Sequence, residues 1–203
     1  MTLLDKCQFR LAAWRNDDGV LGCSATPIDE LAQEMTGKRI AIVGNARALA
    51  KSSLGAQIDA CDLVIRINRA PMPSTESHGA RTDWLALATA LPRDQFQALG
   101  ASRLIWMSHK RKRLKYWMGQ TAGFSLFPIS GYEALKSQLC AQPTTGAMLI
   151  DFAAKSEASE IHLFGFDFFS SLSLSGRRDA VSVPHDFQSE SDYVCALMET
   201  DTR

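Results

Sequence analysis

The sequence predicts one α/β domain, Rossmann-like, with a mostly parallel sheet carrying helices on both faces. Three observations lead there. Short apolar, β-branched runs alternate with helix-length segments along the chain. The first such run, Arg39–Val43, is nearly continuous in apolar residues and ends at Gly44, as a strand buried on both faces does. The chain has 203 residues, of which 46% are hydrophobic and 22% charged, which suits a single packed core.

Residues 1–36 form an N-terminal extension with little pattern; turn signals stand at Asn16-Asp17-Asp18-Gly19, and a helix is expected over Ile28–Met35. The domain proper spans 37–203. After Arg39–Val43, the segment 63–68 reads as a second strand, β-branched and partly alternating. Further strands are expected at 84–88, 104–107, 124–128 and 161–166, and helices at 92–99, 111–118, 132–139 and 147–155. Residues 170–184 are rich in Ser and Arg without a period and read as a mobile loop; 186–198 closes the chain as a helix. Within that scheme His162 falls inside an apolar strand and reads as structural.

Composition excludes several classes. With 22 basic and 22 acidic residues, no global attraction to nucleic acid is expected. No apolar run approaches the ~20 residues of a membrane span, and the opening residues lack the basic-then-apolar layout of a secretory leader. The five cysteines (Cys7, Cys23, Cys61, Cys140 and Cys195) have no Cys-x-x-Cys spacing, so neither a disulfide framework nor a zinc site is expected. The reading is a cytoplasmic protein with reduced thiols. The stretch 109–117 is strongly basic: from Gln95 to Tyr132 there are six Lys or Arg and no Asp or Glu. It reads either as one solvated helix face or as a docking site at the inner face of a membrane, with Tyr116 and Trp117 at the headgroups.

Three groups of residues carry chemistry. Gly44-Asn45 follows the first strand and Asn68 ends the second, so both amides lie where parallel sheets bind ligands. Each side chain offers a donor and an acceptor, although either Asn alone also reads as a turn or capping residue. The order Gly44-Asn45-Ala46-Arg47 is not the Gly-x-Gly-x-x-Gly of a dinucleotide site. Pro143-Thr144-Thr145-Gly146 opens an apolar helix, where hydroxyls and free N–H groups suit an anion or simply cap the helix. His185 precedes Glu190 by five positions, and an imidazole is suited to remove a proton from a hydroxyl near neutral pH.

The segment 40–83 resembles the long sialylmotif of glycosyltransferase family 29, the eukaryotic-type sialyltransferases. The likeness runs through Gly44, Asn45, Leu49, Ser52, Gly55, Ile58, Asp59, Asp62, Val64, Arg66, Asn68, Arg69, Ala70 and Pro71 to Gly79-Ala80-Arg81-Thr82. Residues 143–166 resemble the short motif, from Pro143-Thr144-Thr145-Gly146 to Gly165-Phe166, and His185 with Glu190 resembles the very short one. The resemblance implies a GT-A-like variant of the fold and an inverting, metal-independent transfer of sialic acid or Kdo from a CMP-sugar donor to a glycan or glycolipid acceptor. It makes Asn45, Asn68, Thr144, Thr145, Gly146, Gly165 and Phe166 donor-binding residues, His185 the base and Glu190 an organiser of the site, with no metal and no cofactor besides the donor. Phe166 also reads as core.

Departures are as informative. Ala46 stands where the family has serine, and Ile40 and Ala158 stand where secretory members carry a disulfide, which fits a cytoplasmic, bacterial version. The family's third motif, with a histidine for the donor phosphate, is missing; Arg177 and Arg178 are candidate substitutes, or a solvated pair. A catalytically inactive CMP-binding protein is the alternative. Oligomeric state is not read from these residues.

Overall fold

The short β-branched runs form strands, and the segments between them, the apolar run of 145–154 included, form helices and turns. The structure is a computed structural model describing residues 5–23, 25–166 and 185–201. In chain order the elements are α1 (Lys6–Arg15), α2 (Asp18–Leu21), α3 (Ile28–Met35), β1 (Arg39–Val43), a 3-10 turn (Arg47–Lys51), α4 (Gly55–Asp59), β2 (Leu63–Ile67) and α5 (Thr75–His78). They continue with β3 (Trp84–Leu87), α6 (Arg93–Leu99), β4 (Arg103–Trp106), a second 3-10 turn (Arg111–Arg113), α7 (Tyr116–Gly119) and β5 (Phe124–Leu126). The last elements are α8 (Ile129–Leu139), α9 (Thr145–Ala154), β6 (Glu160–Phe164) and α10 (Phe187–Thr200).

The six strands form one sheet in the order β5-β4-β3-β2-β1-β6, and every pairing is parallel. One face presents Ile40, Ile42, Ile65, Ile67, Trp84, Ala86 and Ile105 to side chains of α3, α8, α9 and α10. The opposite face buries Leu85, Leu87, Leu104 and Trp106 under α1, α2, α6 and α7. A third cluster packs Ala41, Val43 and Val64 against Leu49 and Ile58. The sheet thus has apolar layers on both sides, as the near-continuous hydrophobicity of β1 requires.

The stretch before residue 36 belongs to that core. Phe9, Ala12, Ala13 and Leu21 lie in one cluster and Leu31 and Met35 in another. The expected turn at residues 16–19 is a junction: Asn16 takes a left-handed conformation (φ 55°) to end α1, and the Asp17 carboxylate caps α2 at Val20 N–H.

One expectation is corrected. The segment 111–118 is not one solvated helix; it breaks after Arg113, and Leu114 and Lys115 run extended before α7. The cause is Arg111, whose guanidinium turns inward and is fully buried. It donates to the Asp18 carboxylate at 2.6 and 2.7 Å and to the carbonyls of Ser108 and Phe127. His162 lies in strand β6, as expected, and its side chain faces solvent. β6 is an edge strand, and His162 is exposed beside Glu160, with Nε2 2.8 Å from its carboxylate.

Much of the stretch 59–83 is a polar brace across β2 and β3. Asp59 accepts from the N–H groups of Ala80 and Arg81, and Arg81 reaches the carbonyls of Asp59 and Cys61 and the Asp83 carboxylate. Arg66, fully buried in β2, donates to the carbonyls of His78 and Arg81 and to Thr82 Oγ1. Burial lowers its pKa to about 10, so it remains charged at neutral pH.

Candidate functional site

The strand order reverses between β1 and β6: β2 to β5 extend from one side of β1, and β6 lies on the other. In open parallel sheets the crevice at the carboxyl ends beside such a reversal is where ligands bind. Gly44-Asn45 and Gly165-Phe166 occupy those ends. Gly44 N–H donates to the Phe164 carbonyl at 2.7 Å and Ala46 N–H to the Gly165 carbonyl at 3.0 Å. The two turns are so close that a Cβ on Gly44 would lie 2.4 Å from the Gly165 oxygen. The Phe166 ring fills the space beside them, and a Cβ on Gly146 would lie 2.7 Å from a ring carbon.

Asn45 and Asn68 tie neighbouring strand ends together. Asn45 Nδ2 donates to the Ile67 carbonyl at 3.3 Å. Asn68 takes a left-handed backbone conformation (φ 54°), one that Asn tolerates better than most residues. Its Oδ1 accepts from Ala88 N–H at 3.1 Å and its Nδ2 reaches Thr145 Oγ1 at 3.4 Å. That last contact joins the first group of sequence candidates to the second.

Thr144 caps α9. Its hydroxyl oxygen accepts from Ala147 N–H at 3.1 Å, and its O–H and N–H both donate to Glu190, at 2.7 and 2.6 Å. The N–H groups of Thr145 and Gly146, in the first turn of α9, have no acceptor among the described residues. Such a turn favours negative charge through its exposed donors and the helix dipole.

Glu190 lies in the first turn of α10 and is only 3% exposed. Burial raises its pKa to about 7, against the opposing pull of the Thr144 hydrogen bonds. Asp186 caps α10 by accepting from the N–H and hydroxyl of Ser189 and from the N–H of Gln188, which hold its own pKa below the usual carboxylate range.

His185, half-buried, is anchored by Nδ1 at 2.7 Å from the Gln142 carbonyl oxygen. A carbonyl only accepts, so Nδ1 carries the proton and the neutral ring keeps its lone pair on Nε2. The ring is therefore held in the tautomer a general base needs. Three bonds pin the start of α10 to the start of α9: His185 to Gln142, and Glu190 twice to Thr144. Asn68 to Thr145 continues the chain of contacts to the sheet. Gln142 carries no sequence signal, because it acts through its backbone.

The other histidines sit elsewhere. His78 is buried beside Arg66, with burial and that charge lowering its pKa, and its Nδ1 lies 2.7 Å from Ser77 Oγ. His109 stacks on Tyr132 with centroids 4.2 Å apart. Arg177 and Arg178, with the expected loop at 170–184, lie outside the described residues. Among the described residues, no group of three or more His, Cys, Asp or Glu is placed to hold a metal, and no helix is long and apolar enough to cross a membrane.

Comparison with known proteins bears on this arrangement. Residues 24–119 match the sequence model of glycosyltransferase family 29 (sialyltransferase). A 76-residue stretch is 36% identical to the bovine (Bos taurus) α-N-acetylneuraminide α-2,8-sialyltransferase. That alignment covers 36% of this chain and only 21% of the bovine protein. The fold matches two crystal structures of a mammalian sialyltransferase. One, in complex with Gal-β-1,3-GalNAc-ortho-nitrophenol, gives a TM-score of 0.63 and covers 97% of this chain and 84% of that one. The other gives 0.64, with 97% and 83% covered. Both are 19% identical to this chain, a likeness of fold alone.

Proposed function

We propose that the chain is a glycosyltransferase of family 29, whose sequence model matches residues 24–119, and that it transfers a sialic acid, or the related keto acid Kdo, from a CMP-sugar to a hydroxyl of a glycan or glycolipid. The observation that carries the proposal is the continuous set of contacts from Asn68 through Thr145 and Thr144 to Glu190, Gln142 and His185. Five of the residues singled out in the sequence meet there, at the carboxyl ends of the strands.

In this reading the first turn of α9 receives the donor phosphate, and Asn45 and Asn68 face the cytidine. His185 Nε2 takes the proton from the acceptor hydroxyl as its oxygen attacks the anomeric carbon. The bond from that carbon to the CMP oxygen breaks with inversion, and CMP departs with the bonding pair. CMP is a competent leaving group, so positioning and charge stabilisation are the protein's main tasks. Glu190 holds the start of α10, and with it the segment that carries His185, against Thr144. Arg177 and Arg178 are proposed to add positive charge at the phosphate. Without an Asp-x-Asp motif the reaction is proposed to be metal-independent, and activity should survive EDTA.

A thermal-shift comparison of CMP, CDP, UDP, GDP and NAD tests the donor class. CMP alone should raise the melting temperature, since a ligand that binds the native state stabilises it. No shift with CMP, or an equal shift with UDP, rules the reading out. Incubation with CMP-sialic acid then separates an enzyme from an inactive binder: a transferase releases CMP slowly even into water, and a binder does not.

A further inference from the structure

We infer that α1 and the adjoining basic turn form a docking surface for an anionic lipid bilayer. Helix α1 has two apolar faces. Phe9, Ala12 and Ala13 point into the core, as expected of a surface helix. Cys7, Leu11 and Trp14 recur at i, i+4 and i+7 on the opposite side, and all three are exposed. Trp14 is 73% exposed and Leu11 48%, two of the three large hydrophobic side chains left in solvent among the described residues. The placement is fixed, because the core-facing stripe holds α1 by one side and aims the other outward.

Cations rim the outer stripe. At 100° per residue Lys6 and Arg10 fall on one flank and Arg15 on the other. The basic 3-10 turn packs beside α1: Phe9 meets Tyr116 edge-on with ring centroids 5.4 Å apart, and Arg111 binds Asp18 of α2. This brings exposed Lys112, Arg113 and Lys115 next to the helix. None of these six cations forms an ion pair among the described residues. The acidic groups close by are Asp5, Asp17 and Asp18; Asp5 and Asp17 cap α1 and α2, and Asp18 is neutralised by Arg111.

An exposed Trp and Leu surrounded by unpaired Lys and Arg match the headgroup region of an anionic membrane, where the indole sits at the interface and cations meet lipid phosphates. The structure also relocates the anchor. Tyr116 and Trp117 are half-buried against Phe9 and Phe96, whereas Trp14 is 73% exposed. The surface lies on the face of the sheet opposite α9 and α10, and the inference does not depend on the donor reading.

Co-sedimentation of the full chain with phosphatidylcholine vesicles, with and without phosphatidylglycerol, tests it. Binding should require the anionic lipid and fall with added salt. Trp14→Glu with Leu11→Glu, or Lys112→Glu with Arg113→Glu and Lys115→Glu, should each lower partitioning at least roughly tenfold, given about fivefold per charge near such a surface. Unchanged melting temperatures would show that both variants fold. Equal pelleting with neutral vesicles, no pelleting at all, or variants that bind as wild type would overturn the proposal. So would gel filtration showing a wild-type dimer that Trp14→Glu makes monomeric, since the stripe would then be a contact between copies.

Discussion

Thr144 engages both oxygens of Glu190: its N–H donates to Oε1 at 2.6 Å and its hydroxyl to Oε2 at 2.7 Å. One residue at the start of α9 thereby holds one at the start of α10, 46 positions away. The carboxyl is buried, and its pKa is raised to about 7.

That shift predicts how stability depends on pH. Glu190 binds its proton more tightly in the folded chain than in the unfolded one, whose value is the ordinary 4.5. The contribution is complete below about pH 4.5 and is lost as pH rises through about 7, on the order of 3 kcal/mol in all. Glu190→Gln keeps the shape and hydrogen-bonding capacity of the protonated group. Thermal melts from pH 5 to 8 should show the variant gaining on the wild type as pH rises. Parallel curves would mean that Glu190 does not titrate in this window.

His185 can be separated from binding. His185→Ala should reduce kcat by about 10²–10⁴-fold, the usual contribution of a general base. The stabilisation by CMP should persist, because the imidazole is assigned to the acceptor. Loss of CMP binding with the side chain would instead place it at the donor.

The Gly146–Phe166 contact predicts a rescue. Gly146→Ala sets a methyl against the ring and should cost about 1–3 kcal/mol in urea denaturation. Phe166→Leu in the same chain should recover part of that loss. Gly44→Ala should not be rescued this way, because its Cβ meets the backbone oxygen of Gly165.

Asp18→Ala removes the carboxylate from a guanidinium that has no exposure to solvent. A buried charge left unpaired costs on the order of 3 kcal/mol, visible as a large fall in melting temperature. Lys112→Ala and Arg113→Ala, two neighbours in the same basic run, should stay within about 0.5 kcal/mol of wild type.

The two residues of that run that differ most, Arg111 and Lys112, show where local pattern stops being informative. Both are basic and adjacent, and only the position of Asp18, 93 residues earlier, decides that one is buried. His162 repeats the lesson: its apolar neighbours mark a strand, but the edge position of β6 decides its exposure. Helix α1 escaped a periodicity reading because its two apolar faces blur the 3.6-residue pattern.

The order of strands and helices, the parallel class of the sheet and the residues at the strand ends could be read from the sequence, because apolar period and Gly or Pro punctuation are local properties of the chain. Tertiary structure alone decided the order β5-β4-β3-β2-β1-β6, the inward turn of Arg111, and the tautomer of His185 through a backbone carbonyl 43 residues away. Those depend on which distant groups meet when the core closes, and a carbonyl's position leaves no trace in residue identity.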